Sequence, residues 1–349
     1  MSTYIIRAQR TNLIPYSEAI TQANGYSPYD VTLASNQGTT PMGTNNATKL
    51  TSTGADPYIQ YAVPNTNATF TLSVYAKGVG SSVGKDINFY LIRDNYADVV
   101  QSSQFTLTNE WVRYTATLSL STNPTTQVIY RIDAPSIAET GDEVLIWGTQ
   151  CEVGSYGTSY IPTSGSTVTR NQDQFTRDGI GSLINSTEGV LFVEMAALAD
   201  DETNREITLS DGSSTNYVLI RFNNGGSNKI QTRVDVGGGI EYFNLDSNHT
   251  ITDVNKIAIK WKNSDFCTFI NGVKVDSQLS GSSFSANTLS ELNFDNGSGS
   301  KNFFGKVKQL QVYNTALTDE QLLQLTGTSG TDFYESYAEM ASALTYTIQ

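Results

Sequence analysis

Apolar and polar residues alternate with a period of two in stretch after stretch of this chain. ATFTLSVYAKG (68–78), INFYLIRDN (87–95), WVRYTATLSLS (111–121), TQVIYRIDAP (126–135) and EVLIWGTQCEV (143–153), with PYIQYAV (57–63) ahead of them, each send alternate side chains to opposite faces of a strand. Gly, Asn, Pro or Asp turns separate them. A strand of this kind hides one face and wets the other, so its sheet needs a second sheet to cover the apolar side. The second half repeats the grammar in GVLFVEMAAL (189–198), EITLSDG (206–212), NYVLIRFNN (216–224), KIQTRVDVGG (229–238), KIAIKWKNS (256–264), FCTFINGVKV (266–275) and FGKVKQLQVYN (304–314). The pattern predicts an all-β protein of two antiparallel β-sandwiches in tandem.

Length agrees with two cores, since 349 residues exceed what one hydrophobic core organises. Acidic residues outnumber basic ones by 34 to 21, a net charge of −13 with no Lys/Arg cluster, which argues against a nucleic-acid partner. Cys151 and Cys267 fall in different halves and read as small buried hydrophobes rather than a disulfide framework. No run of about 18 apolar residues occurs, so membrane insertion is not expected. The N-terminus offers only the apolar run from Tyr4 to Ile6, without the core of a signal peptide.

Local punctuation is clearest in CTFINGVKV, where Asn271-Gly272 joins two β-rich runs as a type I′ hairpin turn. ALTDEQLLQLTG (316–327) predicts one short helix, with Thr318 as N-cap, Asp319 and Glu320 in the first turn, an apolar face of Leu322, Leu323 and Leu325, and Gly327 as its end. TDFYESYAEMASALTYTIQ (331–349) carries Phe333, Tyr334 and Tyr337 and reads as a C-terminal arm that docks on its own sandwich or on a neighbouring subunit.

Three phrases in order, RTNLIPYSEAI (10–20), EWVRYTATLSLS (110–121) and VLIWGTQCEVGSYGTSYIPTSG (144–165), resemble those of carbohydrate-binding-module-like jelly rolls in bacteriophage tail, fibre and other virion proteins. NGVKV followed by FFGKVKQLQVYNTALTDEQLLQLT, with TEGVLFVEM (187–195) earlier, resembles a laminin-G-like, concanavalin A-like domain. The resemblance implies two jelly rolls: residues 13–163 for the carbohydrate-binding-module-like one and 175–327 for the concanavalin A-like one. Residues 1–12 then form an N-terminal anchor strand, 164–174 a linker and 328–349 the arm. WGTQCEVGSYGTSYIPT becomes the closing strand and ordered exit of the first jelly roll, with Trp147 and Cys151 on one side by period two. Many such phage proteins have a longer stretch before "RTNL", whereas nine residues precede Arg10 here, so MSTYIIRAQ reads as a short anchor strand or virion-attachment peptide.

Catalytic sets are hard to assemble. His249 is the single histidine and sits in the turn-like DSNHTIT, which leaves no triad and, with two dispersed cysteines, no zinc spacing. Gly237, Gly238 and Gly239 lack the strand-to-helix context of a phosphate loop and read as a hairpin turn. The "ExDxxE" signature of laminarinase-type relatives is missing: Glu194 stands alone, and Asp200, Asp201 and Glu202 lie in a loop. The expectation is no enzyme and no cofactor. Calcium is the one ion left open, with oxygen ligands in NFDNGSGS (293–300) and ETGDE (139–143). Candidate sugar platforms are Tyr26, Tyr29, Tyr96, Tyr242 and Phe243, against the alternative that each is an edge or interface aromatic. Trp111, Trp147 and Trp261 sit in alternating strands and are assigned to cores. The resemblance implies a structural and adhesive virion protein: a head fibre, decoration or tail-fibre component on the virion surface, assembled in the bacterial cytoplasm. Its expected partners are other virion proteins, copies of itself in a homotrimer through Tyr4, Phe333, Tyr334 and Tyr337, and a host-surface glycan. A carbohydrate-binding module protein and a polysaccharide depolymerase are the alternatives.

Overall fold

The computed structural model describes residues 3–133, 140–223 and 225–327. The chain divides into two compact units, one of Ala8–Gln172 and one that takes the residues up to Arg7 together with those from Asp173 onward. Both are all-β, and the single α-helix among the described residues is Asp319–Thr326.

In the first unit, two antiparallel sheets enclose one core. One sheet runs Phe105–Thr106, Asp86–Arg93, Val128–Asp133, Tyr58–Val63, Ser27–Tyr29, with Val99–Gln101 also paired to Asp86–Arg93. The other runs Val112–Ser119, Thr69–Val79, Glu143–Val153, Thr48–Ser52, Val31–Ala34. Alternate residues point inward from both: Ile59 and Val63, Phe89 and Leu91, Val128, Tyr130 and Ile132 from the first, and Leu72, Val74, Ala76, Val144, Ile146 and Cys151 from the second. Residues 164–174, expected to be linker, contain the strand Val168–Arg170, which pairs with Arg10–Asn12. Asn12 is fully buried and ties this end together. Its Nδ2 donates to the carbonyls of Thr149 and Ile161, and its Oδ1 accepts from the N–H groups of Ile14 and Cys151.

Two of the tryptophan expectations need correction here. Trp147 and Cys151 do not share a side, because the ladder to Thr69–Val79 shifts register between Trp147 and Gln150, a β-bulge at which Gly148 adopts φ +65°. Cys151 enters the core, while Trp147 is buried outside it, under Tyr160 and Tyr75 at centroid distances of 4.8 and 5.5 Å. Trp111 precedes its strand instead of filling the core: it is half-buried, and its Nε1 donates to the Thr39 carbonyl.

The second unit pairs one sheet ordered Thr176–Arg177, Glu291–Asn293, Arg205–Ser210, Tyr217–Phe222, Ile230–Val236, Gly239–Asp246 with another ordered Tyr4–Ile6, Gly305–Tyr313, Glu188–Ala196, Asn255–Lys262, Phe266–Ile270, Val273–Gln278. Residues 1–12 are thus divided: Tyr4–Ile6 completes a sheet of this unit, whereas Arg10–Asn12 pairs in the other. Trp261, Phe222, Phe266 and Phe303 fill the core. Asn271 and Gly272 take φ +50° and +81°, the left-handed pair a type I′ turn needs, and Gly237-Gly238 closes the neighbouring hairpin in the same way at +59° and +84°. Thr318 and Gln321 form a reciprocal capping box at the start of the helix. Its buried face differs from the expected one: Leu322 is buried, Leu323 is exposed, and Thr326 is buried with its hydroxyl between the Leu322 carbonyl and the Gly272 N–H.

Candidate functional site: an aromatic row on the outer face of the first unit

The strand order of the first unit fixes what its outward face displays. Because Ile59, Phe89, Leu91, Tyr130 and Ile132 point into the core, period two turns Tyr58, Gln60, Asn88, Tyr90, Arg131 and Asp133 the other way. Register then brings them together: Asp133 stands opposite Tyr58 and Asn88, Arg131 opposite Gln60 and Tyr90, and Tyr29 opposite Tyr58.

The side chains form a stack. The rings of Tyr29 and Tyr58 lie 5.0 Å apart at 14°, and the Arg131 guanidinium carbon sits 3.5 Å from the Tyr58 centroid and 5.2 Å from that of Tyr90. A ring stacked at that spacing leaves no room for a guanidinium on the same side, so Tyr58 is covered on one face by Tyr29 and on the other by Arg131. Offset stacks and cation–π contacts each contribute about 0.5–1.5 kcal/mol in such settings. Arg131 is held in turn by Asp133, whose Oδ1 accepts from Nε at 3.0 Å and Nη2 at 2.7 Å, and by Asp56 at 3.3 Å. One carboxylate of its own strand, one from the bend before Tyr58–Val63 and two rings therefore lock one guanidinium in place.

Tyr96 reaches the row from a 3-10 turn, Asp94–Tyr96, in which it takes φ +61°, and its hydroxyl donates to Gln60 Oε1 at 3.3 Å. Asp94 anchors that turn: its carboxylate accepts from the N–H and hydroxyl of Thr125, the hydroxyl of Thr126 and the N–H of Gln127. The Thr125 hydroxyl, followed by the Thr125 and Gln127 N–H groups, holds the Asp94 carboxyl well below the usual carboxylate range. Burial pushes the phenols of Tyr58 and Tyr90 up, with Arg131 pulling against it, so both stay neutral hydroxyls able to donate and accept. Burial also raises Asp133, opposed by its bond from Arg131.

The sequence-predicted residues separate cleanly. Tyr29 and Tyr96 lie on this row, each 52% exposed. Tyr26 does not: it is 3% exposed, packed edge-on against Tyr61, with its hydroxyl on the Tyr16 carbonyl and Thr149. Tyr242 is likewise a core residue of the second unit, 1% exposed and stacked on Phe266. A ring with no solvent-facing side is no platform for a sugar. Phe243, next to it, points outward and is 42% exposed. Tyr4 is exposed on its edge strand, and Phe333, Tyr334 and Tyr337 lie outside the described residues. Tyr58, Tyr90 and Arg131 were missed. Their signal was the parity of PYIQYAV, INFYLIRDN and VIYRIDAP, which becomes readable once one residue of each strand is placed in the core.

Other chemistry finds little support among the described residues. No group of three or more His, Cys, Asp or Glu side chains is arranged to hold a metal ion. The 293–300 stretch turns on itself: Asp295 accepts from the Gly297 N–H, and Asn296 from the N–H groups of Ser298 and Ser300. Glu139 of the other calcium candidate lies outside the described residues. His249 bonds Asp246 through Nδ1 at 2.8 Å within its own turn. A surface pocket of about 490 Å³ opens elsewhere on the first unit, lined by Tyr16, Glu18, Asn36, Asn46, Thr48 and Thr163. Its one carboxylate, Glu18, is already engaged by the Asn46 amide at 3.0 Å and the Tyr160 hydroxyl at 3.2 Å.

No curated protein matches the chain. Among solved structures, it is similar to the CBM40 of the Ruminococcus gnavus IT-sialidase bound to alpha2,3 sialyllactose (16% identity, 44% of this chain and 93% of that one, TM-score 0.37). It is also similar to the CBM22-1 xylan-binding domain from Paenibacillus barcinonensis Xyn10C (16%, 42% and 94%, TM-score 0.31) and to the CBM22-1-CBM22-2 tandem domain of the same protein (11%, 88% and 98%, TM-score 0.33). Residues 193–323 match the sequence model of the Concanavalin A-like lectin/glucanases superfamily, so this stretch of the second unit carries a concanavalin A-like fold.

Proposed function

We propose that the protein is a non-enzymatic, adhesive component of a bacteriophage virion that binds a host-surface glycan on the aromatic row of its first unit. The observation that carries the reading is the row of Tyr29, Tyr58, Arg131 and Tyr90 on one outward sheet face, which Tyr96 joins from its turn through Gln60. A pyranose has an apolar C–H face that an exposed ring covers, while its hydroxyls need fixed donors and acceptors beside the ring. Tyr29 and Tyr96 supply the free ring surface. Asp56, Asp133, Gln60 and the Arg131 guanidinium supply the polar partners, pre-arranged so that little ordering entropy remains for binding to overcome. Tyr58 and Arg131 position the rest. The virion assignment, the virion-surface location and assembly as a homotrimer rest on the phrases RTNLIPYSEAI, EWVRYTATLSLS and VLIWGTQCEVGSYGTSYIPTSG and on their resemblance to phage virion proteins.

An array of bacterial-surface glycans probed with the full chain tests this function. The expected result is binding to a restricted set of glycans, without their cleavage, that disappears in the Tyr29→Ala/Tyr96→Ala double variant. An array blank for the full chain, or one unchanged by the double variant, overturns the assignment to this face. Release of shortened oligosaccharides overturns the non-enzymatic reading.

A further inference from the structure

In the second unit, the sheet that begins with Tyr4–Ile6 and ends with Val273–Gln278 has an outward face of two characters. Toward its Phe266–Ile270 side, Val190, Phe192, Ala258, Phe269 and Tyr313 pack with Leu317 and Leu322, so the helix Asp319–Thr326 roofs them. Toward the Tyr4–Ile6 edge the helix no longer reaches. Val193, Met195, Ile257 and Val307 are core residues, and parity therefore turns Glu194, Ala196, Lys256 and Lys306 outward, with Ile5 opposite Lys306 on the same side. A register shift between Glu194 and Met195 makes Lys308 a bulge residue, and its Nζ meets the outward Glu194 at 2.8 Å.

There a groove of about 310 Å³ opens, walled by Ile5, Glu194, Ala196, Val254, Lys306 and Lys308. Ile5 and Val254 are 55% and 51% exposed, and Lys306 has no ion pair among the described residues, so the groove is both apolar and in excess of one cation. On a chain of net charge −13, such a surface suits an acidic segment that carries apolar side chains. The exit of the helix shows where one lies. The Gly327 carbonyl accepts from Lys256 Nζ at 2.9 Å, and Lys256 stands opposite Glu194, so the chain leaves the helix on this same face, one strand from the groove. Three strand spacings of about 4.8 Å, or about 14 Å in all, separate Lys256 from Ile5. The five residues between Gly327 and Phe333 span up to about 17 Å. Residues 328–349 hold Asp332, Glu335 and Glu339, no Lys, Arg or His, and set Phe333, Tyr334, Tyr337 and Met340 among those carboxylates.

We infer that the C-terminal arm docks on its own unit, in this groove, with its aromatic side chains against Ile5, Ala196 and Val254 and its carboxylates toward Lys306 and Lys308. Of the two partners open to the arm, its own sandwich and a neighbouring subunit, the short tether favours the first, because it holds the arm at a high effective concentration over its own groove. Docked there, the arm roofs the part of the face that the helix leaves and clamps Tyr4–Ile6, which otherwise joins the sheet through a ladder of three residue pairs.

Hydrogen exchange of the full chain, compared with a chain ending at Gly327, tests the docking. Removal of the arm should speed exchange at Tyr4–Ile6 and Val254 about tenfold and leave Tyr217–Phe222, in the facing sheet, unchanged. Lys306→Glu in the full chain should give the same loss of protection, and adding Asp332→Lys, Glu335→Lys and Glu339→Lys to it should restore that protection. Lys306 is exposed and unpaired, so its variant should keep the circular dichroism of the parent. Light scattering should give equal masses with and without the arm. Exchange at Tyr4–Ile6 that is indifferent to the arm overturns the groove as its site. Protection that survives Lys306→Glu, or that the reversed arm charges do not restore, overturns the pairing of arm and lysines. Loss of protection together with a fall in mass assigns the arm to a neighbouring copy and overturns docking within the chain.

Discussion

Tyr58 is defined by what covers its two faces, Tyr29 on one and Arg131 on the other, and this makes it a support rather than a platform. Tyr58→Ala should leave Arg131 and Tyr29 without their common wall and weaken glycan binding about tenfold, near 1.4 kcal/mol, as read by titration. Asp94 offers a test through pH. A carboxyl whose folded pKa is depressed contributes stability that is complete above its unfolded value of about 3.9 and lost as pH falls through the folded value. The melting temperature of the first unit should therefore drop as pH falls below about 4, and Asp94→Asn should flatten that acid limb. An identical limb in the variant would show that Asp94 does not anchor the turn that carries Tyr96. At this scale the sequence was a mixed guide. Tyr29 and Tyr96 stand in polar, turn-rich surroundings and stayed at the surface, but Tyr26 stands in the same NGYSPYD phrase and went inside. Burial of a tyrosine depends on whether a neighbour can take its hydroxyl, and Tyr16 and Thr149, which do so for Tyr26, are distant in sequence from any pattern that announces it.

Elements follow period two until a bulge interrupts them. Along Glu143–Val153 the alternation that puts Val144 and Ile146 in the core would have put Gly148 and Gln150 there too, yet Cys151 enters instead. Gly148 takes up the change at φ +65°, and a Cβ on it would lie 3.1 Å from the Tyr75 ring and 3.2 Å from that of Tyr160. Gly148→Ala should cost about 1–2 kcal/mol, the strain of a left-handed L-residue, visible as a lower denaturant midpoint with unchanged slope. No loss would mean that the bulge relaxes at no cost. Where the turn chemistry was local, in Asn271-Gly272 and in the Thr318 capping box, the sequence was sufficient, because two to four adjacent residues determine both. Where the element depends on a distant partner, as when Gly272 accommodates Thr326 and so turns Thr326 rather than Leu323 inward, adjacency carries no signal.

The described residues form three hydrophobic clusters with no shared members: one in the first unit, with Phe70, Phe89 and Tyr130, and two in the second, one with Trp261, Phe222 and Phe266 and one with Phe192, Phe269 and Leu322 of the helix. Two-state behaviour is then expected of each unit rather than of the chain. Trp261→Ala should destabilise the second unit by about 3–5 kcal/mol and move only its transition in calorimetry; displacement of both transitions would mean that the units unfold together. The tandem pattern was legible from alternation alone, since each half repeats it. That Tyr4–Ile6 completes a sheet whose other strands begin beyond residue 180 was not, because three residues carry no period. If the exposed Tyr4 and the C-terminal arm join subunits, a chain ending at Gly327 should scatter light as a smaller species than the full chain, and equal masses would remove the arm from assembly. The central claim is adhesion through the tyrosine row of the first unit, and the most direct measurement is the affinity of Tyr29→Ala/Tyr96→Ala for the glycan bound by the parent. Loss of measurable binding, with the unfolding midpoint unchanged, is the predicted result; an affinity equal to that of the parent would contradict it.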